Sequence, residues 1–462
     1  MSAWCSDRRK TRRGYILLFS ALTTIMILVP AAGLAIDLGL MYLVQTLLSA
    51  STDAAVLAGA RALSRGSDDA TQHANAQATA NAFFQANFPN GYLNSSNLQV
   101  SSLATTDSTY MRSVATNASV VAPLVFMRVF GVNSVTLHAS STATRRDVNV
   151  MIIMDRSGSL ANSGSCTPLK AAAVNFVEKF SEGRDNLGLI TFATSSRVDN
   201  AVSSTFKTQV ESTLNSVVCT GATSSAQALW QGYQQLVGLA QQGALNAIVF
   251  FTDGRPTAVT ESFPIKNNSN CSSKTAKLGV LTLGYNGTTP QYSMGLYNQN
   301  APAQPFSSDL TLISSKTNCA FASDQTRVSS DVQYAPTTDY WGNSLTATAY
   351  RSTTTSGAGL DVGSAQNVEN FSTNAADHAA LRIRRGDPDP TQGNKSLSGV
   401  TIYTIGLGDV DDVLLKRIAN DPSLSPNPVA AGNQGRYIYA ADATALDLAF
   451  TRVASQILRL AQ

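Results

Sequence analysis

Residues 15–36, YILLFSALTTIMILVPAAGLAI, hold no charged side chain. At about 1.5 Å per residue such a run covers the roughly 30 Å hydrocarbon core of a bilayer, so it predicts a membrane-spanning helix. Residues 1–14 carry Arg8, Arg9, Lys10, Arg12 and Arg13 against a single acid, Asp7. That basic flank predicts a cytoplasmic tail, with the chain after the span on the opposite side. Pro30 falls inside the span and predicts a kink. Asp37, the first charge beyond it, reads as the membrane boundary, with a functional intramembrane acid as the alternative. The small residues of AAGLA would suit a signal-peptidase cut. The apolar run is long for a signal sequence, however, and helical patterning continues past it, so an uncleaved anchor is expected.

Past the span, LGLMYLVQTLLSASTDAAVLAGARALS and DDATQHANAQATANAFFQANF are rich in Ala and Leu, lack internal proline and stop at Pro89-Asn90-Gly91. They predict two helices. Between about residues 92 and 145 the Val/Thr/Ser-rich runs LQVSSLA, YMRSVATNASVV and SVTLHASSTA predict strands of a small sheet. A long membrane helix followed by a small sheet is a pilin-like α+β arrangement, and a spacer stalk without activity would show the same pattern.

From about residue 146 the texture alternates. VNVMIIMD (148–155), NLGLITFA (186–193), NAIVFFTD (246–253), VTIYTIGLG (400–408) and RYIYA (436–440) read as strands. PLKAAAVNFVEKF (168–180), SSAQALWQGYQQLVGLA (224–240) and DATALDLAFTRVASQIL (442–458) read as helices. This alternation predicts βαβ units in an α/β fold, a parallel sheet flanked by helices on both faces. Ligands of such sheets bind outside the carboxyl ends of the strands.

Charge narrows the partners. Lys and Arg total 33 against 30 Asp and Glu, and charged residues make up only 14% of the chain, so no basic surface argues for nucleic acid. Of the five cysteines, Cys5 falls in the basic tail, while Cys166, Cys219, Cys271 and Cys319 form an even set beyond the span. No C-x-x-C or Cys/His cluster accompanies them, so disulfides are expected rather than zinc. Four cysteines allow three pairings. Cys166 follows Ser159 by seven residues and Cys219 precedes Thr223 by four, so both belong at the same sheet edge. The expected pairs are therefore Cys166–Cys219 and, within 257–398, Cys271–Cys319.

That sheet edge gathers the polar chemistry. Asp155 ends the first strand of the alternating region, with Ser157 and Ser159 in the loop after it. Asp253 ends AIVFFTD, and Thr223 lies in CTGATSS just before a helix. Singly, such residues are turn formers or helix caps. Together, two carboxylates and three hydroxyls are hard oxygen donors that suit Mg2+, or another hard divalent cation such as Mn2+ or Ca2+, better than zinc. Mg2+ takes six ligands, so one position would stay open to water or to a partner's carboxylate.

DRSGS, TGATSSAQAL and FFTDG, in that order, resemble the D-x-S-x-S, Thr and Asp elements of the von Willebrand factor A domain. The resemblance implies a Rossmann-like domain over 146–462 and a metal-ion-dependent adhesion site ligated by Asp155, Ser157, Ser159, Thr223 and Asp253, some through water. The stretch RRGYILLFSALTTIMILVPAAGLAIDLGLMYLVQTLLSASTDAAVLAGARAL resembles the N-terminal region of TadG-like proteins of the tight-adherence (Flp) pilus-assembly system. That resemblance extends the TadG-like region over 37–145. It implies a single-pass protein of a bacterial inner membrane, anchored through residues 15–36, with its C-terminal domain in the periplasm. Phe19 stands where a processed pilin carries a glutamate, so cleavage and polymerisation are not expected.

The region from about 257 to 398, rich in Ser, Thr, Asn, Gly and Tyr, is longer than an ordinary loop and predicts an inserted subdomain near the metal edge, or a variable insertion without a role. The expected function is non-enzymatic: a membrane-anchored assembly or adhesion component that binds protein partners of the pilus or secretion machinery through an acidic residue. A surface-exposed adhesin is the alternative. A hydrolase fits poorly, because no G-x-S-x-G elbow occurs and His73, His138 and His378 lie outside the metal motifs. His378, in NAADHAALRIRR, reads as an exposed helical residue.

Overall fold

The computed structural model describes residues 8–63, 65, 69–108, 110–266, 276–286, 289–297, 332–346, 350–424 and 432–461. The chain divides into two compact units, Met1–Asp107 with Met111–Arg145, and a second that contains Arg146–Gln462.

The first unit begins with a long helix in three pieces: α1 (Arg8–Thr23), one π-helical turn (Thr24–Leu28) and α2 (Val29–Ala62). The π turn sits directly before Pro30, where the ring denies the backbone a donor and crowds the carbonyl four residues back, so the ladder widens rather than breaks. The expected kink thus takes the form of a bulge. Over Tyr15–Ala62 the helix is long and apolar enough to cross a bilayer. Its second half becomes one-sided. Val44, Leu48 and Ala55 are buried together with Ala76, Ala80 and Phe84 of α3 (Asp69–Asn87). Both helices cover an antiparallel sheet of β1 (Ser96–Thr106), β2 (Met111–Pro123) and β3 (Ser134–Arg146) in the order β1-β2-β3. From Val114 onward the central strand β2 buries every second residue, among them Val114, Ala118, Val120 and Ala122.

The second unit is built on a six-stranded sheet. Its strands are β4 (Val148–Asp155), β5 (Asn186–Phe192), β6 (Ser196–Ser203), β7 (Leu245–Thr252), β13 (Thr401–Leu407) and β14 (Tyr437–Ala440), in the order β14-β13-β7-β4-β5-β6. All neighbours are parallel except β6, which returns antiparallel to β5 along the edge. Every residue of β4 and β7 is buried. Their predominantly apolar runs follow from having both faces covered, with alternate side chains going to opposite layers. Met151, Ile153, Ile248 and Phe250 face α7 (Ser225–Leu239) and the long helix α8 (Ala365–Arg385). Val150, Ile152, Met154, Val249 and Phe251 face α5 (Cys166–Glu178), α6 (Lys207–Ser216) and α10 (Leu446–Leu460). The short helix α4 (Gly158–Asn162) follows β4, and α9 (Asp412–Ala419) follows β13.

Within 257–398 the chain first forms a second antiparallel sheet of β8 (Ala258–Phe263), β9 (Lys277–Asn286) and β10 (Thr289–Tyr297), then a two-stranded hairpin, β11 (Thr355–Ser356) with β12 (Gly359–Leu360). After these comes α8, whose Val368, Phe371, Ala375, Ala379 and Ile383 are fully buried in the core on the α7 side. The last part of this region is therefore one of the helices that cover the main sheet. Cys271 and Cys319 lie outside the described residues.

Candidate metal centre

The carboxyl ends of β4 and β7 are adjacent strand ends, because the two strands pair in register from Val148↔Leu245 to Met154↔Phe251. That register brings Asp155 and Asp253 to one edge. Asp155 is fully buried; its Oδ1 accepts the Ser157 amide at 2.7 Å and its Oδ2 the Thr252 hydroxyl at 2.6 Å. Asp253 is half-buried, and its Oδ1 accepts the Ser159 hydroxyl at 2.7 Å and the Ser157 hydroxyl at 3.3 Å. The two serine hydroxyls are 3.0 Å apart. Ser157 is extended (φ −64°, ψ 166°) and starts α4, so the turn after β4 points both hydroxyls at the next strand end.

Thr223 lies one loop away. Its amide donates to the Thr257 hydroxyl at 2.8 Å, and its carbonyl accepts the Thr257 amide at 2.9 Å. No hydrogen bond joins its side chain to the other four residues. The loop itself is docked on the Asp155 turn: the Thr220 amide donates to the Arg156 carbonyl at 2.7 Å, and the Gly158 amide to the Gly221 carbonyl at 3.0 Å. Gly221 has φ +97°, a conformation that side chains rarely adopt, which lets this backbone approach. Cys166, the first residue of α5, and Cys219, just before the loop, are joined in a disulfide with Cα atoms 6.2 Å apart. The expected first pairing is thus present, and it ties together the two loops that carry Ser159 and Thr223.

Electrostatics mark this cluster. Burial, and then the charge of Asp253, push the Asp155 carboxyl up to about 7. Burial likewise raises Asp253 against the lowering effect of the Ser159 and Ser157 hydroxyls. The hydrogen-bond donors to the two acids are neutral hydroxyls and an amide, which ease but do not cancel the cost of two desolvated like charges. Among the described residues no three His, Cys, Asp or Glu side chains gather to hold a metal. Any cation here would rely on two carboxylates plus hydroxyls, a hard donor set that fits Mg2+, Mn2+ or Ca2+. Thr252 and Thr257, which orient Asp155 and the Thr223 loop, were not singled out in the sequence, although FFTDG places Thr252 beside Asp253.

Comparison with known proteins now decides the fold family. Residues 150–255 match the model of the von Willebrand factor type A domain. The second unit is built on a von Willebrand factor type A domain. Residues 14–62 match the model described as Flp pilus-assembly TadE/G-like, so the chain joins a TadE/G-like segment to that domain. No curated protein matches the sequence. Among solved structures the chain is similar to the vWF domain of the type V pili tip protein Mfa5 from Porphyromonas gingivalis (16% identity over 69% of this chain and 98% of that one, TM-score 0.37). It is also similar to the pilus adhesin SpaC from Lactobacillus rhamnosus GG in its open conformation (13% identity, 81% and 35% covered, TM-score 0.36). A third is a von Willebrand factor type A structure from Catenulispora acidiphila (10% identity, 78% and 49% covered, TM-score 0.33). The chain spans about a third of the length of SpaC.

The histidines stay out of the centre. His73 Nε2 is 2.9 Å from the Thr106 hydroxyl in the first unit, and His138 is exposed there. His378 is helical but not exposed. It is half-buried, and its Nδ1 accepts the Ser344 amide at 3.0 Å, which holds the ring neutral and makes it a brace for the 332–346 segment. Burial first, and then Arg382, lower its pKa.

Proposed function

We propose that the chain is a non-enzymatic, membrane-anchored component of a tight-adherence (Flp) pilus system, anchored in the bacterial inner membrane with its type A domain in the periplasm. In this reading Asp155, Ser157, Ser159, Thr223 and Asp253 hold a divalent cation, Mg2+ or a similar hard ion. A position left open on it takes an acidic side chain from a protein of the pilus machinery. The supporting observation is the pair of desolvated carboxylates bridged by two serine hydroxyls at the carboxyl edge of the sheet. A divalent cation would relieve their mutual repulsion and replace the proton that burial favours on Asp155. The backbone and residues such as Thr252 would orient the ligands.

The test is capture of partners by full-length protein from detergent extracts of its own cells, with Mg2+ and then with chelator. Chelator-sensitive capture of pilus-assembly proteins, lost with Asp155→Ala, is expected. Capture indifferent to both chelator and the substitution would remove the cation from the binding mechanism. A reporter fused after Gln462 should be active only in the periplasm, and a cytoplasmic signal would overturn the orientation.

A further inference from the structure

The proposed cation chemistry leaves one conspicuous feature of the first unit unused. The segment 124–133, between β2 and β3, is clamped onto the helix by Asp37, which is only 1% exposed. Three successive amides donate to its carboxylate: Val125 to Oδ1 at 2.8 Å, Phe126 to both oxygens at 3.1 and 3.0 Å, and Met127 to Oδ2 at 2.8 Å. One turn earlier on the same side of α2, Gly33 lies under the Phe126 ring. A Cβ at Gly33 would come within 2.2 Å of the ring carbons, so glycine is what lets the loop reach this far along the helix. Gly33 belongs to the uncharged run 15–36, so the loop reaches the level of the span itself.

Four of the loop's apolar side chains are turned outward, with Phe130 also lying against the Phe126 ring at 5.6 Å between centroids. Val125 is 64% exposed, Val129 79%, Phe130 64% and Val132 44%. On the helix at the same level Leu34, Ile36 and Leu38 are exposed as well. Exposed apolar side chains therefore occur both at the end of the span and on the loop, and Asp37, the acid between them, is withdrawn from solvent. Counting from Tyr15, a hydrocarbon core of roughly 30 Å takes about 20 residues, to about Leu34, and the headgroup layer takes the next few. Gly33 and Asp37 straddle that boundary.

Resting on the reading of residues 15–36 as a membrane span, we infer that the 124–133 loop is a second membrane-contacting element. It sets Val125, Val129, Phe130 and Val132 into the headgroup–acyl boundary of the leaflet from which the helix emerges. Phe130 suits that depth, and Arg128, also exposed, reaches the phosphate level. Asp37 is then no simple boundary marker. It is the buried latch that holds the foot to the helix, and its carboxylate is acceptable at that depth because backbone amides saturate it.

The test uses the full chain in nanodiscs of phosphatidylethanolamine and phosphatidylglycerol, with photoreactive benzoylphenylalanine placed singly at Leu22, Phe130 or Leu103. Leu103, 57% exposed on β1, pairs with Ala115, nine residues and so about 30 Å of strand from the loop. Lipid adducts at positions 22 and 130 of similar yield, and none at 103, are expected. Asp37→Ala should lower the yield at 130 several-fold while leaving that at 22 unchanged. Adducts at 22 alone would overturn the foot and leave the span standing. Adducts at neither position would overturn the span and the foot with it.

Discussion

Two buried aspartates, one in each unit, are satisfied in opposite ways. Asp37 spends both oxygens on three backbone amides of one loop, all donors held at fixed positions by the backbone. Asp155 receives one amide and one hydroxyl, and a second carboxylate stands nearby, linked to it through Ser157. A carboxylate saturated by amides is finished: its charge is stabilised by fixed donors, and its removal leaves those donors unpaired. A carboxylate that shares its surroundings with another acid and with rotatable hydroxyls is not finished. Burial raises it to about 7, so the metal-free site favours a proton there. The first arrangement builds structure, and the second is the one proposed to take a cation.

The strongest way to break this comparison is to remove each acid in turn. Asp155→Ala should abolish Mn2+ binding by the full-length protein in titration calorimetry while leaving its circular dichroism intact. With the cation at about a hundred times its Kd, the wild type should gain about 2.7 kcal/mol of stability, a gain the variant lacks. Asp37→Ala should do the reverse, keeping Mn2+ affinity and exposing the 124–133 loop to limited proteolysis. If Asp37→Ala removed metal binding, or Asp155→Ala unfolded the second unit, the distinction between latch and ligand would fail.

Next in size is the bridge behind the Asp155 edge. Cys166 and Cys219 close 53 residues of chain, and the chain-entropy relation assigns such a loop about 4 kcal/mol. Cys166→Ser with Cys219→Ser should lower the stability of the second unit by about that amount in urea unfolding. A loss well under 1 kcal/mol would mean that the two loops hold together without it.

How much of this could be read from residues alone depended on whether burial was written as hydrophobicity. β4, β7 and β13 were legible because both faces are covered, so VNVMIIMD and its counterparts carry no polar alternation. β6 was not, because SRVDNAVS lies at the antiparallel edge with most of its residues half-exposed. α8 was not legible as a core helix either, since Asn367, Ser372, Thr373, Asn374 and Asp377 are among its buried residues. Its loops explain this. The Asn374 side chain donates to the carbonyls of Thr346 and Arg351 and accepts the amides of Tyr350 and Arg351, and Asp377 pairs with Arg417 at 2.6 Å. Polar side chains that hold neighbouring segments in place look, in sequence, like an exposed surface. That Asp155, Ser157, Ser159 and Asp253 gather at one sheet edge was legible because D-x-S-x-S and the Asp253 strand end are compact in sequence. The separation of Thr223 from it was not, since it depends on where the Thr257 backbone sits.

Acidity offers a milder test. Cation binding requires both carboxylates to be deprotonated, so affinity should level off above pH 7 and fall about tenfold per unit below it. In the metal-free protein the sign is opposite to that of an ordinary paired acid. The folded-state value of Asp155 is raised from 3.8 to about 7, so the folded state binds the extra proton between these values. The contribution of Asp155 to stability is then present below pH 4 and is lost as pH rises towards 7. Thermal unfolding with chelator across that range would show the decline, and Asp155→Asn should flatten it. A metal-free wild type that gained stability over the same range would contradict the account of Asp155.

The smallest expected change is at Thr223, and it sharpens the boundary of the site. Thr223 is 5% exposed, its backbone is fastened to Thr257, and its hydroxyl stands apart from the network of Asp155, Ser157, Ser159 and Asp253. A neutral ligand at the rim can be replaced by water, whereas a carboxylate supplies charge that water cannot. Thr223→Val keeps the branched shape in its buried seat and removes only the hydroxyl, so Mn2+ affinity should fall by less than about tenfold, or about 1.4 kcal/mol, and Thr223→Ser should recover most of it. The substitution also separates two ways of building the site. If Thr223→Val costs as much as Asp155→Ala, the hydroxyl must be a direct ligand and the Thr223 loop must shift towards Asp155 when the cation enters. The Cys166–Cys219 bridge would then restrain that shift, and reducing it should alter Mn2+ affinity in the wild type while leaving Thr223→Val unchanged.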